Sequence, residues 1–191
     1  MNMNQTDIKV VKSSGERVDI NLEKIHRMVE KSCRHITGVS ESLVEMNSGL
    51  QFFDGITTKE IQQILIRSAS DLISLDHPNY QFVSERLLLF LIQKQVFNTK
   101  WKDSEIYPPL GDLIDRNIEL GVYDNSLKDH YTDEEIAKVN TFIRHSRDLD
   151  FTYAGLQQVV DKYLVQDRST QTVFETPQFM YMLIAMTLFN K

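Results

Sequence analysis

The stretch IKVVKSSGERVDINLEKI, residues 8–25, establishes the architecture at the start of this chain. Apolar and polar residues largely alternate over residues 8–12 and again over 17–20, which is the two-residue period of a strand. Ser13, Ser14 and Gly15 between these segments are turn-forming residues. The pattern predicts a β-hairpin, followed by Asn21 as the N-cap of a helix over residues 22–36 that ends at Gly38.

Three further helices are predicted in the first hundred residues. Apolar spacing indicates one over residues 40–50 with Ser40 at its start, one after Thr57, and one over residues 81–97. Thr57 and Glu60 have the spacing of a capping box, in which each side chain binds the other residue's backbone N–H. The third helix should bury one side, formed by Ile61, Ile64, Leu65, Leu72 and Ile73. The fourth is apolar nearly all round, as expected of a helix enclosed by other elements.

The second half of the chain is also predicted to be mainly helical. Consecutive prolines within residues 101–109 break any helix, so we place a domain boundary after residue 100. Helices are expected over residues 110–120, 133–145, 153–163 and 177–189, and a second β-hairpin over 163–165 and 172–174. Thr132 and Glu135 form a second capping box, and Thr176 precedes Pro177 as an N-cap. The predicted domains are therefore residues 1–100 and 101–191.

The last predicted helix has almost no polar side over residues 179–189. Burying one large apolar side chain contributes about 1.5–3 kcal/mol, so such a helix favours burial all round. Two explanations are open. Either the second half of this chain encloses the helix, or the missing core comes from a partner or from polypeptide beyond this chain.

Composition excludes several classes of function. The chain has 191 residues, 41% hydrophobic and 25% charged, which is ordinary for a soluble globular protein. Its net charge of −6 comes entirely from residues 101–191, which disfavours binding to nucleic acid. One cysteine, Cys33, excludes an internal disulfide, a cysteine-rich zinc site and a redox dithiol. With a polar N-terminus and no apolar run near 20 residues, we expect a cytoplasmic protein without a membrane segment.

No catalytic set is evident in the sequence. Glycine-rich phosphate loops are absent, and the five histidines are expected at the surface or beside helices. Asp148 and Asp150 are expected in a solvated turn, and Cys33 as a small core residue. We therefore predict no catalytic residue and no resident metal.

One cluster suits phosphate binding. Lys12 ends the first predicted strand, Asn21 and Lys24 begin the first helix, and Thr58 lies in the first turn of another helix. A helix N-terminus offers unpaired N–H groups and the positive end of the helix dipole, and a nearby lysine adds a compact charge. Ordinary solvated lysines and a routine helix cap remain the alternative.

These residues resemble the opening motif of an ATP-cone, a small nucleotide-binding domain of four helices capped by a three-stranded β-sheet. The resemblance includes the Asp54–Gly55 turn with Thr58, and the segment from Tyr80 to Lys94. Further blocks resemble the segments that follow the cone in the large subunit of aerobic class I ribonucleotide reductase. These blocks span residues 121–124, 131–135, 145–148, 151–153, 162–165 and 175–179. The sequence Lys-Ser-Ser-Gly at residues 12–15 resembles the version in bacteriophage reductases. The expected fold is mainly α: a cone, then a helical segment with one β-hairpin.

The resemblance implies an allosteric site that senses ATP against dATP, with Mg²⁺ accompanying the triphosphate and no redox cofactor in this chain. By position, the phosphates would contact Lys12, Thr58 and Lys94. Base and sugar would lie against Val18, Asp19, Ile20, Asn21, Leu22, Glu23 and Lys24, with Ile20 and Ile25 as apolar walls. The implied partners are a catalytic barrel, which this chain lacks, and the reductase small subunit.

Four positions depart from the family pattern. Ser13, Ser14, Val18 and Gln62 stand where the commonest form has arginine, aspartate, glutamate and histidine. Each lost charged hydrogen bond weakens binding by about 1–3 kcal/mol. A degenerate cone that serves only for docking is therefore the alternative function. A stand-alone regulator such as the cone-bearing repressor of reductase genes is disfavoured, because that family needs a four-cysteine zinc ribbon and a basic DNA surface.

Overall fold

The computed structural model describes residues 8–97 and 107–189. These residues fall into two compact units. The first contains the described residues up to Leu91 together with Thr152–Ala154, and the second contains the remainder. Most of the predicted connector over 101–109 lies outside the described residues, so the boundary after residue 100 remains a prediction.

A three-stranded sheet lies in the first unit. The strands are β1 (Lys9–Val11), β2 (Arg17–Asp19) and β3 (Ile56–Thr57), in the order β2-β1-β3. The β1–β2 pair is the predicted antiparallel hairpin, with Gly15 at a φ of +83° in its turn. β3 pairs with β1 in parallel, which places Val11 opposite Thr57. The hairpin prediction is confirmed, and the third strand completes the sheet that the resemblance implied.

The first unit also contains four helices: α1 (Leu22–Cys33), α2 (Glu41–Gly49), α3 (Thr58–Ser70) and α4 (Tyr80–Phe97). The last residues of α4, after Leu91, belong to the second unit. Asn21 caps α1 as predicted, since its Oδ1 accepts from the Lys24 N–H at 2.7 Å. Both bonds of the predicted capping box form at the start of α3. The core of this unit includes Val29, Val44, Ile56, Leu65, Ala69, Val83 and Leu87, all fully buried. The fold class is therefore the mainly helical one expected.

Two helices of this unit end earlier than predicted. α1 stops at Cys33 rather than residue 36, because His35 adopts a φ of +62°. The guanidinium of Arg86 on α4 donates to the carbonyls of Ser32 and Arg34, which gives the α1 end tertiary partners. α3 stops at Ser70, so the prediction that Leu72 and Ile73 belong to its buried side was wrong.

The described residues from 107 onward form five α-helices, one 3₁₀ helix and two short strands. In chain order these are α5 (Leu110–Glu119), α6 (Ser126–His130), α7 (Asp133–Asn140), the 3₁₀ helix (His145–Asp150), α8 (Tyr153–Lys162), β4 (Gln166–Asp167), β5 (Thr172–Val173) and α9 (Pro177–Leu188). The second capping box forms as predicted. α7 ends five residues early, and neither α6 nor the 3₁₀ helix was predicted. The hairpin exists, but its first strand lies just after the predicted segment. Fully buried Leu110, Leu113, Ile114, Ile136, Leu156 and Phe179 form much of this core.

A buried polar network organises the second unit. Glu175 is 2% exposed, and its carboxylate accepts from the Tyr123 hydroxyl and from the Val165 N–H at 3.0 Å. Burial raises the pKa of Glu175, although these two donors partly oppose the shift. Arg116 and Asn117 both donate to the carbonyl of Phe174, at 2.9 and 3.1 Å. These bonds tie α5 and the residues before α9 to the hairpin.

Two polar residues of this unit, Asp148 and Thr176, differ from expectation, whereas His145 does not. Asp148 is fully buried in the 3₁₀ helix rather than in a solvated turn, and burial raises its pKa to about 7. His145 begins the 3₁₀ helix, which agrees with the expected place beside a helix. It is half-buried and stacks on Tyr107 at 3.6 Å between ring centroids, and desolvation lowers its pKa to about 4. Thr176 occupies the predicted N-cap position but makes no side-chain cap bond, and its hydroxyl is buried.

α9 is covered on one side only by the described residues. Phe179, Met180, Leu183 and Met186 are buried, whereas Ile184 is 43% exposed and Leu188 70% exposed. Ile184 and Leu188 also line a cavity of about 390 Å³ beside Tyr123 and Glu175. Burial of α9 all round by the described part of its own unit is therefore not observed. None of the described helices is long and apolar enough to cross a bilayer.

Candidate functional site

The parallel pairing of β1 with β3 brings two predicted phosphate contacts to one edge of the sheet. Val11 lies opposite Thr57, so Lys12 and Thr58 each directly follow the paired residues. Thr58 is also the first residue of α3. A lysine therefore lies beside a helix N-terminus, where first-turn N–H groups and the helix dipole favour an anion.

The start of α3 is held by the capping box. The Thr57 hydroxyl accepts from the Glu60 N–H at 3.1 Å, and the Glu60 carboxylate accepts from the Thr57 N–H at 2.8 Å. The same carboxylate accepts from the Thr57 hydroxyl at 2.7 Å. These bonds lower the pKa of Glu60. The backbone around Thr58 is thus positioned by bonds that need no ligand.

Lys12 is held by the hairpin turn and paired with an acid. Its N–H donates to the Glu16 carbonyl at 2.9 Å, and its carbonyl accepts from Gly15 at 2.9 Å. Its ammonium donates to the Glu16 carboxylate at 2.8 Å, with 47% of the Lys12 side chain exposed. This ion pair was not predicted, although the sequence places opposite charges, Lys12 and Glu16, on either side of a glycine turn.

The residues predicted to hold base and sugar run from the middle of β2 to the start of α1, away from the hairpin turn. β2 runs antiparallel to β1, so Arg17 is opposite Val11 whereas Asp19 is opposite Lys9. Asn21 and Lys24 follow β2 and so lie beyond the Asp19 end. With a rise of about 3.3 Å per strand residue, roughly 10 Å along the hairpin separates Lys12 from Asp19.

Residues 18–24, predicted to hold base and sugar, are mixed in exposure. Val18 and Ile20 are half-buried, Leu22 is 40% exposed, and Asp19, Glu23 and Lys24 are exposed. Asp19 forms an ion pair with Lys9, and Glu23 with Arg27. Ile25, expected as an apolar wall, is only 8% exposed and belongs to the core. Asn21 already uses its side-chain amide oxygen, Oδ1, to cap α1.

Gln62 and Lys94 lie on helices, Gln62 in α3 and Lys94 in α4. Gln62 is 4% exposed, and its amide donates to the Leu87 carbonyl at 3.3 Å inside the helical core. It therefore acts as a core hydrogen-bond donor. Lys94 is exposed on α4, past Leu91 where the first unit ends.

The described residues offer no resident metal site and no reactive thiol. No group of three or more histidine, cysteine or acidic side chains among them could hold a metal ion. Cys33 is buried in α1, as predicted, and desolvation raises its pKa to about 11. A thiol with that pKa remains protonated at neutral pH, which agrees with a core role.

Comparison with known families identifies two regions. Residues 8–95 match the ATP cone domain, and residues 149–191 match the ribonucleotide reductase all-alpha domain. The chain is similar to the ribonucleoside-diphosphate reductase 1 subunit alpha of Escherichia coli K12, with 42% identity over 189 residues, which is 98% of this chain and 24% of the relative.

Two other relatives carry the same name without the number. The alpha subunit of Haemophilus influenzae is 39% identical over 185 residues, which is 96% of this chain and 24% of that protein. The alpha subunit of Enterobacteria phage T4 is 37% identical over 183 residues, which is 95% of this chain and 23% of that protein. The chain thus spans about a quarter of the length of the relatives it matches.

Proposed function

Because this chain carries an ATP cone and a ribonucleotide reductase all-alpha domain, as the N-terminal part of reductase large subunits does, we propose that it binds ATP or dATP as a regulatory effector. The phosphates bind at the edge formed by Lys12 and Thr58. The phosphate contact that the resemblance implies for Lys94 stays a prediction. Base and sugar lie along residues 18–24, with Asn21 and Lys24 as polar contacts.

The observation that carries this proposal is the β1–β3 register. It sets a lysine next to a helix N-terminus although the two residues are 46 positions apart in sequence. Both features attract phosphate, and neither requires a glycine-rich loop. Mg²⁺ enters with the triphosphate, and phosphate oxygens and water supply most of its ligands, since Mg²⁺ dehydrates reluctantly.

The apolar side of α9 supports a second part of the proposal. Ile184 and Leu188 form an exposed apolar strip that a larger protein would bury. We propose that polypeptide equivalent to the remaining three quarters of the relatives, including a catalytic barrel, covers this strip. In the cytoplasm the reductase small subunit completes the enzyme, and this chain alone reduces no ribonucleotide.

A docking role without nucleotide is the second candidate. The observation that favours it is Gln62, which binds a core carbonyl rather than facing the sheet edge. Ser13 and Val18 likewise lack the charges of the family pattern. In this case the cone serves as a docking surface for another polypeptide, and Lys12 is an ordinary solvated lysine.

Calorimetric titration of the full chain with ATP and with dATP separates the two candidates. Effector binding predicts a micromolar Kd and a rise of at least tenfold in the Lys12→Ala variant, since a charge-assisted hydrogen bond contributes roughly 1.5–3 kcal/mol. Lys162→Ala, which removes an exposed lysine of α8, is the matched control and should leave the Kd unchanged. Absent or millimolar binding, or equal affinity in the Lys12 variant, supports docking instead.

A further inference from the structure

We infer that Glu16 sets the affinity of the nucleotide site by competing with phosphate for the Lys12 ammonium. The inference rests on the proposed function. Its basis is the ion pair at 2.8 Å between Lys12 Nζ and Glu16 Oε2. An incoming phosphate must break this pair before it can use the lysine, so the carboxylate lowers the net gain from phosphate binding.

The backbone keeps the competitor in place. Val11 and Arg17 are the last register pair of the hairpin, and Lys12 and Glu16 are the next residues outward. The Lys12 N–H donates to the Glu16 carbonyl at 2.9 Å, which continues the ladder into the turn. Side chains directly opposite each other across two strands interact, and opposite charges there attract. Glu16 is therefore tethered beside Lys12 whether or not nucleotide is bound.

Solvent exposure makes the pair reversible. The Lys12 side chain is 47% exposed and that of Glu16 is 60% exposed. Exposed ion pairs are weak and screened by salt, so a triphosphate with several charges displaces the carboxylate. The displaced carboxylate stays close to the phosphates and continues to repel them. The penalty should consequently rise with the number of phosphates on the ligand.

The test uses Glu16→Gln in the full chain, which keeps the side-chain shape and removes the charge. We expect the Kd for ATP to fall about fivefold, or roughly 1 kcal/mol at 1.4 kcal/mol per tenfold change. The fall should be smaller for ADP and absent for adenosine. Glu30→Gln is the matched control: it removes an equal charge from an exposed pair with Arg34 at the end of α1, and should leave all three affinities unchanged.

A double variant isolates the competition. In a Lys12→Ala background, Glu16→Gln should keep only the gain from removing the repulsion between the carboxylate and the phosphates, because no ammonium is left to release. An unchanged ATP affinity in Glu16→Gln, with binding that still depends on Lys12, overturns this inference and leaves the proposed function standing. Weaker binding of MgATP in that variant also overturns it and makes Glu16 a ligand of the bound cation. Absence of nucleotide binding in every variant overturns both.

Discussion

Replacing Thr57 by alanine tests whether the start of α3 belongs to the nucleotide site. The substitution removes the hydroxyl that accepts from the Glu60 N–H at 3.1 Å and donates to the Glu60 carboxylate at 2.7 Å. The bond from the residue 57 N–H to that carboxylate, 2.8 Å in the native chain, survives. The helix keeps its acidic first turn but loses its N-cap.

The expected losses of folding stability and of ATP affinity follow from this geometry. Loss of a threonine N-cap typically destabilises a protein by about 1 kcal/mol, within a range of roughly 0.5–2 kcal/mol. For a unit of this size that loss lowers Tm by about 4–8 °C. Because Thr58 is the next residue, fraying of the first turn should also weaken ATP binding. A loss of about 0.7 kcal/mol of binding free energy raises the Kd roughly threefold, since 1.4 kcal/mol corresponds to a tenfold change.

The second capping box supplies a matched control within the same chain. Thr132 accepts from the Glu135 N–H at 3.2 Å, and the Glu135 carboxylate accepts from the Thr132 N–H at 3.0 Å. Thr132→Ala should destabilise α7 by a similar amount and leave ATP affinity unchanged. Hydrogen exchange reports each first turn separately, and calorimetry reports the Kd.

Two results would contradict this expectation. If Thr57→Ala lost stability as expected but bound ATP with native affinity, the start of α3 would lie outside the site. If both alanine variants weakened ATP binding equally, the effect would be a general loss of stability rather than a local one. Thr57→Ser should behave as the native chain, since serine preserves the cap.

Three further outcomes are expected. Tyr123→Phe leaves the buried Glu175 carboxylate without its hydroxyl donor and should cost about 1.5–3 kcal/mol in urea unfolding; an unchanged midpoint would contradict the network. The native pKa of Asp148, about 7, exceeds its ordinary value of 3.8, so stability should fall as pH rises from about 4 to 7; Asp148→Asn should flatten this dependence. Cys33 should react with iodoacetamide at neutral pH only as the protein unfolds, and rapid native labelling would exclude its buried position.

The features that the sequence predicted best are those made by neighbouring residues. Asn21, Thr57 and Thr132 each accept from a backbone N–H three residues later, so the bond depends on local chain geometry alone. The first hairpin is equally local, because Gly15 supplies the positive φ its turn requires. These elements could be assigned before any tertiary contact was known.

Helix ends and the hidden polar residues were harder to predict. α3 ends at Ser70 although apolar residues continue at Leu72 and Ile73, because spacing alone does not show where packing against the bundle ceases. Asp148 lies in a polar stretch yet is fully buried, since its environment is formed by residues distant in sequence such as Gln178. A local pattern contains no information about such neighbours.

For the candidate site, the residue types and their local settings were already readable in the sequence: a lysine at a glycine turn, and a threonine in the first turn of a capped helix. That Lys12 and Thr58 share one edge emerged from the folded chain, because the β1–β3 pairing joins segments more than forty residues apart. The burial of Gln62 in the core and the one-sided burial of α9 likewise came from the fold. Each of these outcomes depends on which surfaces meet when distant segments pack, and no local run of residues contains that information.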